Sequence, residues 1–208
     1  MSNHETPASA DGQFQAWQQA AEDPSLGEDR ALALLKHADL PRLVIETLAK
    51  HPGMRDSRRV RSKIVMHPRT PRRVSQKLLR TLYTFDLMQA ARMAGVPGDV
   101  QRAAEDLLIR KLESLTLGER ISLARRSSGR VAAALLIGQP RRVLEIALCN
   151  PRLTEALVIA ALKGPALSQE ALAELAQAIA ANEKWMHSRE VRSAIDGVLT
   201  NEDQAAPP

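Results

Sequence analysis

The residues best suited to a chemical task are the bases of one short segment. Residues 55–80 contain ten lysines and arginines but one acid, Asp56, although the whole chain carries a net charge of only +5. The ten bases are Arg55, Arg58, Arg59, Arg61, Lys63, Arg69, Arg72, Arg73, Lys77 and Arg80. Such a cluster can bind phosphates or another polyanion, with an affinity that falls as salt rises. A solvated surface, neutralised by the acidic N-terminal segment, is the alternative interpretation.

The spacing of three of these bases favours a single cationic stripe. Arg73, Lys77 and Arg80 stand at positions i, i+4 and i+7 of a predicted helix, so they share one face. Tyr83 and Phe85 follow directly and could stack on nucleic-acid bases. The sequence therefore predicts a candidate polyanion site in residues 55–80.

Two histidines, His51 and His67, each precede a proline. A metal site would need further ligands at close spacing, and the sequence contains no Cys-x-x-Cys or His-x-x-x-His. Asn150 precedes a proline in a third copy of this motif. An asparagine can end a helix as a histidine does, but it would be a poor metal ligand. We therefore predict helix ends here, with no metal and no cofactor.

Three other positions could be chemical but have a simpler structural interpretation. Cys149 could be a reactive thiol, yet its place at the end of an apolar helix predicts a small buried residue. Residues 125–130 resemble an anion-binding turn, but Gly129 more simply ends one helix and lets the chain turn into the next. Trp185 stands at the position that the repeat pairs with Met54, and we expect it to lie in the core.

Composition points to an all-α fold without a β-sheet. Aromatic residues make up only 2% of 208 residues, and Ala, Leu, Arg and Glu are abundant. The chain has one cysteine, no apolar leader at Met1 and no apolar run long enough to cross a bilayer. We therefore expect a cytoplasmic protein that forms no intramolecular disulfide and does not bind a membrane.

The chain is organised as about a dozen short helices separated by prolines and capping residues. Ser57 and Thr70 are predicted to cap two of them, and a capping-box spacing at Thr116 opens another. The predicted segments are a disordered tail over 1–12, an N-terminal capping helix and linker over 13–27, a repeat domain over 28–200, and a second disordered tail over 201–208.

Internal repeats predict how these helices are arranged. Residues 41–52 match residues 140–151, and residues 57–64 match residues 188–195. A short helix cannot bury its apolar stripe alone, so repeated helices stack on their neighbours and share a continuous core. An α-solenoid fits this pattern better than a four-helix bundle, which would need fewer and longer helices.

Three phrases carry a resemblance to known proteins. Asn-Pro-Arg at 150–152, His-Pro-Arg-Thr-Pro at 67–71 and Leu-Thr-Leu-Gly-Glu-Arg at 115–120 resemble those of bacterial HEAT-like and variant leucine-rich repeat proteins. The likeness covers roughly residues 28–200 and implies a HEAT-like α-solenoid. Its motifs are structural, so the resemblance implies no functional residue.

Three functions remain open. A non-enzymatic scaffold that binds a protein partner needs no catalytic residue, and helical repeats present extended concave surfaces. A nucleic-acid-binding or polyanion-binding protein would use residues 55–80. A DNA-processing enzyme built on HEAT-like repeats would need an acidic residue in an aromatic-lined pocket, and so few aromatic residues count against it. We expect the scaffold.

Overall fold

A computed structural model describes residues 10–164 and 167–205 of the chain. These residues form fourteen α-helices and two short 3-10 turns, and no β-strand occurs among them. The predicted all-α fold is therefore confirmed. The fourteen helices slightly exceed the dozen expected, partly because the one-turn helix Glu183–Met186 has no counterpart among the predicted helices.

The chain divides into two compact units, residues 1–104 (unit 1) and 105–208 (unit 2). The division falls within α7, so the predicted repeat domain over 28–200 spans both units. The helices are α1 (Ala10–Glu22), α2 (Glu28–Leu34), α3 (Arg42–Lys50), α4 (Arg58–Met66), α5 (Arg72–Leu79), α6 (Thr84–Ala90), α7 (Gly98–Lys111), α8 (Leu117–Arg126), α9 (Gly129–Ala134), α10 (Arg141–Leu148), α11 (Glu155–Leu162), α12 (Gln169–Ala180), α13 (Glu183–Met186) and α14 (Arg189–Ala205). The 3-10 turns are Pro52–Met54 and Leu112–Ser114.

Capping side chains explain several helix starts. The Ser57 hydroxyl accepts a hydrogen bond from the Val60 amide at the start of α4, as predicted. Thr116 and Glu119 form a complete capping box on α8. Thr70, by contrast, does not cap α5: its hydroxyl donates to the Ile64 carbonyl at the end of α4. The prediction for Thr70 was wrong because a free carbonyl of the preceding helix competes for the same side chain.

The core of unit 1 lies among its first four helices. Leu40, Val44, Ile45, Leu48 and Val60 are fully buried within one cluster. Phe14 and Trp17 of α1 pack against this cluster, as their spacing predicted. Burial of each such large apolar side chain stabilises the fold by roughly 1.5–3 kcal/mol.

The match between residues 57–64 and 188–195 has a counterpart in local structure, whereas the match between 41–52 and 140–151 pairs α3 with α10. The run α2, α3, 3-10 turn and α4 of unit 1 corresponds in order to α11, α12, α13 and α14 of unit 2. In both runs a capping serine donates to the glutamate that begins the first helix of the run: Ser57 to Glu28 at 2.7 Å and Ser188 to Glu155 at 2.9 Å. The same side-chain contact therefore fixes the last helix against the first in each run.

The chain ends differ from the expected tails. Of the N-terminal tail predicted over 1–12, residues 1–9 lie outside the described residues, and α1 begins at Ala10. At the other end α14 continues to Ala205, and 206–208 lie outside the described residues. No helix within the described ranges has both the length and the apolar character needed to span a bilayer.

Candidate functional site: a basic groove in unit 1

A groove of about 760 Å³ opens between α3, α4 and α5. The apolar residues of its lining are buried or half-buried, and we call them the floor. The floor consists of Leu48, Ala49, Met54, Ile64, Val74 and Leu78. Val74 and Leu78 come from the apolar stripe of α5, whereas Met54 comes from the 3-10 turn that follows α3. Leu48, Met54 and Ile64 are at most 4% exposed, so Ala49, Val74 and Leu78 provide most of the accessible apolar surface of the floor.

Charged side chains surround this floor, and we call them the rim. They are the bases Lys50, Arg55, Arg61, Arg73 and Lys77 and the acids Glu46 and Asp56. Five bases and two acids leave the rim with a net charge of +3. A concave surface with apolar walls concentrates such a field at its mouth. The groove therefore combines an apolar contact surface with attraction for negative charge.

One acid of the rim is already engaged. Glu46 accepts a hydrogen bond from the Arg73 guanidinium at 2.6 Å, and the Lys50 ammonium lies 4.0 Å away. Arg55 and Lys77 are exposed and have no ion-pair partner within the described part of the chain. The Nε atom of Arg61 is shielded from solvent and makes no hydrogen bond to any described residue. Arg55 and Lys77 are thus the rim bases that are both exposed and unpaired within the described residues.

The bases of α4 do not all face this groove. Arg61 lines it, whereas Arg58, Arg59 and Lys63 line a shallower depression on the other side of the helix. Two of these three are engaged with acids. Arg58 pairs with Asp86 at 2.7 Å, and Arg59 pairs with Glu28 at 2.7 Å. The Asp86 carboxylate raises the pKa of Arg58 above its usual value by accepting its hydrogen bond.

Three of the predicted bases line neither the groove nor the depression. Arg69 donates to the main-chain carbonyl of Asp39, and Arg72 pairs with Asp99 at 2.9 Å. Arg80 is exposed at the end of α5. Of the ten predicted bases, Arg55, Arg61, Arg73 and Lys77 therefore share the groove. The predicted stripe is present in part, since Arg73 and Lys77 line the groove and Arg80 does not.

The two aromatic residues proposed to stack on bases lie outside the groove lining. Tyr83 is 58% exposed and Phe85 is 44% exposed. The Arg58 guanidinium lies over the Tyr83 ring, 4.7 Å from its centroid. One face of this ring is therefore already covered.

The two histidines that precede a proline form hydrogen bonds with main-chain groups. The Nε2 atom of His67 lies 2.9 Å from the His37 carbonyl, and its Nδ1 atom accepts from the Arg69 amide. Since Nδ1 accepts, Nε2 carries the proton and donates. His51 similarly lies 3.0 Å from the Asp23 carbonyl. The prediction that both residues end helices is confirmed by the end of α3 at Lys50 and of α4 at Met66.

Asn150 repeats this arrangement in unit 2. Its amide nitrogen donates to the Ala124 carbonyl at 2.8 Å, and its carbonyl accepts from the Arg152 amide at 2.8 Å. Both Asn150 and His67 therefore bond backward to an earlier helix end and forward to the arginine two residues on. As predicted, Pro68 and Pro151 each follow a helix end closely.

Two predictions about unit 2 need correction. Cys149 is exposed, because it stands at the C-terminal cap of α10 and lies outside the buried apolar stripe of that helix. Gly129 begins α9 rather than ending α8. A Cβ atom there would lie 2.2 Å from the Arg152 carbonyl oxygen, so a close approach of two backbones is what requires glycine. Trp185 is buried as predicted, and its indole donates to the Leu148 carbonyl at 3.0 Å.

Unit 2 has its own groove, of about 880 Å³, between α11, α12 and α14. Arg189 and Ser193 line it at positions that the repeat pairs with Arg58 and Ser62, which line the smaller depression of unit 1. Lys163 and Arg189 are its two bases and Glu190 is its acid, so its net charge is only +1. The basic groove of unit 1 is therefore the more strongly charged of the two.

Sequence reasoning found four of the five rim bases, all but Lys50, and missed the floor. Met54 and Leu48 reach the groove from one helix-turn segment, and Val74 and Leu78 from another. No local pattern joins these segments, although the apolar stripe of α5 beside its bases was a usable signal. Among the described residues, no group of three or more His, Cys, Asp or Glu side chains is placed to hold a metal ion.

Comparison of the chain with models of protein families, with curated proteins and with solved structures found no match.

Proposed function

We propose that the protein is a non-enzymatic interaction scaffold of the α-solenoid type, which binds a protein partner through the basic groove of unit 1. The observation that carries the proposal is the groove itself, with its aliphatic floor inside a charged rim. Its volume of about 760 Å³ is enough to hold several large side chains. Apolar contact at the centre with charge at the edge is the usual composition of a protein-binding surface.

The repeated helices support the scaffold part of the proposal. In both runs of helices the same serine–glutamate contact joins the last helix to the first. Such recurrence is expected of a solenoid, in which each repeat uses the same packing contacts. A groove formed between successive helices of such an array is held by rigid elements, and a partner can therefore bind it without first ordering a loop.

A nucleic acid or another polyanion is the second candidate ligand. It is favoured by four exposed bases, Arg55, Lys63, Lys77 and Arg80, none of which has an ion-pair partner among the described residues. It is disfavoured by the pairing of Arg58, Arg59, Arg72 and Arg73 with acids of the same unit. Those acids would have to be displaced before the paired bases could bind phosphates.

Site-specific photo-crosslinking tests the proposed function. A photoreactive amino acid is introduced at Thr81, which follows α5, is exposed and lines the groove. It is introduced separately at Gln76, which is exposed on α5 but does not line the groove. We expect one defined protein to be cross-linked from Thr81 and not from Gln76 in cells that express the chain. Equal products from both positions would contradict the proposal.

Nucleic-acid binding is measured in parallel. Fluorescence anisotropy with labelled single- and double-stranded DNA and RNA, at low and near-physiological salt, compares the native chain with the Arg73→Glu, Lys77→Glu, Arg80→Glu variant. If the protein is a scaffold, we expect weak binding of DNA and RNA that the triple substitution does not change. Tight binding that falls steeply with salt and is lost in the variant would favour the polyanion instead.

A further inference from the structure

We infer that the occupant of the basic groove is an acidic amphipathic α-helix of the partner, with its apolar side chains on the floor and its carboxylates against the rim. The inference rests on the proposed function and adds to it the chemical class of the ligand. Three features of the groove lead to it: the chemistry of the floor, the charges that remain unpaired, and the lack of any surface for stacking.

The floor favours a helix over an extended peptide. Its aliphatic side chains offer no hydrogen-bond donor or acceptor, and the remaining uncharged polar group of the lining is the Thr81 hydroxyl. An extended segment laid against this surface would bury main-chain amides and carbonyls without partners, which costs free energy at each group. A helix satisfies its own main chain and presents apolar side chains at positions i, i+3, i+4 and i+7.

The rim sets the charge of the helix. Arg55 and Lys77 are exposed without an acid partner, and Arg61 carries an unpaired Nε atom. Arg73 already holds the Glu46 carboxylate at 2.6 Å, which shows how a carboxylate fits against the α5 wall. A second carboxylate supplied by a partner would find the same kind of donor at Lys77, one turn further along α5. Glutamates flanking an apolar stripe meet this requirement.

The floor disfavours a nucleic acid in the same place. Bases bound without sequence preference stack on aromatic side chains, and none of the residues that line the groove is aromatic. Glu46 and Asp56 would also lie close to any phosphate held by the rim. An acidic helix can place its apolar side chains beside these two residues, whereas a strand of evenly spaced phosphates carries charge along its whole length.

Anisotropy with a designed peptide tests the inference on the full chain. The probe has about 18 residues, a leucine stripe at helical spacing, glutamates on both flanks and a hydrocarbon staple on its far face, because a short free helix is marginal in water. One control peptide has the same composition with its leucines redistributed around the helix. Another replaces every glutamate with lysine.

Two protein variants separate the groove from the rest of the surface. The first combines Arg55→Glu and Lys77→Glu, two exposed bases of the rim. The matched control combines Arg42→Glu and Arg102→Glu, two exposed bases outside the groove, so it carries the same net charge. Circular dichroism confirms that each variant keeps its helical content.

We expect the acidic probe to bind the native chain and the control variant alike, and the groove variant at least about tenfold more weakly. The lysine peptide should show the reverse preference and bind the groove variant better than the native chain. Equal binding of the redistributed peptide, or equal loss in both variants, would overturn the inference. An oligonucleotide of equal charge that binds more tightly than the probe would overturn it as well.

The two tests fail in different ways. If Thr81 cross-links a protein partner but the acidic probe does not bind, the occupant has another chemistry and the proposed function stands. If neither position yields a partner, the proposed function itself is wrong.

Discussion

A single buried amide, that of Asn150, fixes the exit of α10. The side chain is fully buried, and its nitrogen donates to Ala124 at 2.8 Å and lies 3.3 Å from the Ser127 carbonyl. These carbonyls belong to the end of α8 and the residue that follows it, where the last carbonyls of a helix have no partner within the helix. Asn150 thereby stabilises the end of one helix while it directs the chain out of another.

Replacing Asn150 with leucine should lower the free energy of unfolding by about 2 kcal/mol, because buried main-chain groups lose their partners. Urea unfolding measures the loss. His67→Asn provides the comparison: since His67 makes the same backward and forward bonds, asparagine can replace them, and the cost should stay below about 1 kcal/mol. Equal losses would mean that the two sites are not equivalent.

The carboxylate of Glu28 is held by two donors. Its pKa is lowered from the usual value first by the hydrogen bond from the Ser57 hydroxyl and then by Arg59. Since the folded pKa lies below the unfolded one, this carboxylate stabilises the fold above the unfolded pKa of roughly 4.3, and the contribution is lost as pH falls through the folded value.

We predict that Ser57→Ala raises the Glu28 pKa more than Arg59→Gln does, because the serine hydrogen bond is the largest single cause and glutamine can still donate a hydrogen bond in place of Arg59. NMR titration of the side-chain carboxyl carbon gives both values. Ser57→Thr is the matched control, since it keeps the hydroxyl and the cap. A rise caused by Arg59→Gln alone would show that charge, not the serine hydrogen bond, controls this group.

At the scale of elements, the packing of α9 against the turn after α10 depends on one missing side chain. A Cβ at Gly129 would lie 2.2 Å from the Arg152 carbonyl oxygen and 3.1 Å from the Leu157 Cδ1 atom. The backbone of α9 and that of residues 151–152 must therefore separate to admit any other residue. Glycine is required here by proximity, since its φ angle is not positive.

Gly129→Ala should lower the free energy of unfolding by at least about 2 kcal/mol, because the atom that it would strike belongs to the main chain and cannot rotate away. Gly118→Ala in α8 is the matched control. No atom lies within 4 Å of a Cβ there, so alanine should stabilise the protein by up to about 1 kcal/mol. Thermal unfolding of both variants measures the difference, and an equal loss at Gly118 would show that the close approach of the Arg152 carbonyl is not the cause.

Helix positions could be predicted from the sequence because their signals are local. Ser57 and the Thr116–Glu119 pair each act within one turn, and both predictions are confirmed. The errors at Thr70, Gly129 and Cys149 share another cause. Each depends on which helix end or turn lies nearby in space, and neighbouring residues in the sequence do not carry that information.

On the scale of the whole molecule, the basic segment is not one surface. Sequence alone places ten bases within residues 55–80, but after folding four line the groove, three line the depression and three line neither. Arg58, Arg59, Arg72 and Arg73 are paired with acids of unit 1. Four of those acids, Glu28, Glu46, Asp86 and Asp99, come from other helices. Their positions could not be predicted from charge counts, because the pairing follows from helix packing.

The groove of unit 1 shows the same limit. Its rim could be anticipated in part, since Arg73 and Lys77 stand one turn apart on α5 beside an apolar stripe. Its floor could not, because Met54 and Leu48 come from a different helix-turn segment. The repeat pairs Met54 with Trp185, whose larger ring is buried and bonded to the Leu148 carbonyl. Equivalent positions in the two units are thus occupied differently.

Cys149 is exposed at the end of α10, and it is the one cysteine of the chain. A maleimide dye would therefore attach at one known point on every molecule without any mutation. The peptide titration can then be repeated with the label on the protein and the peptide unmodified, which removes the dye from the ligand. The same thiol would also attach the chain to a sensor surface through unit 2, at the same residue on every molecule.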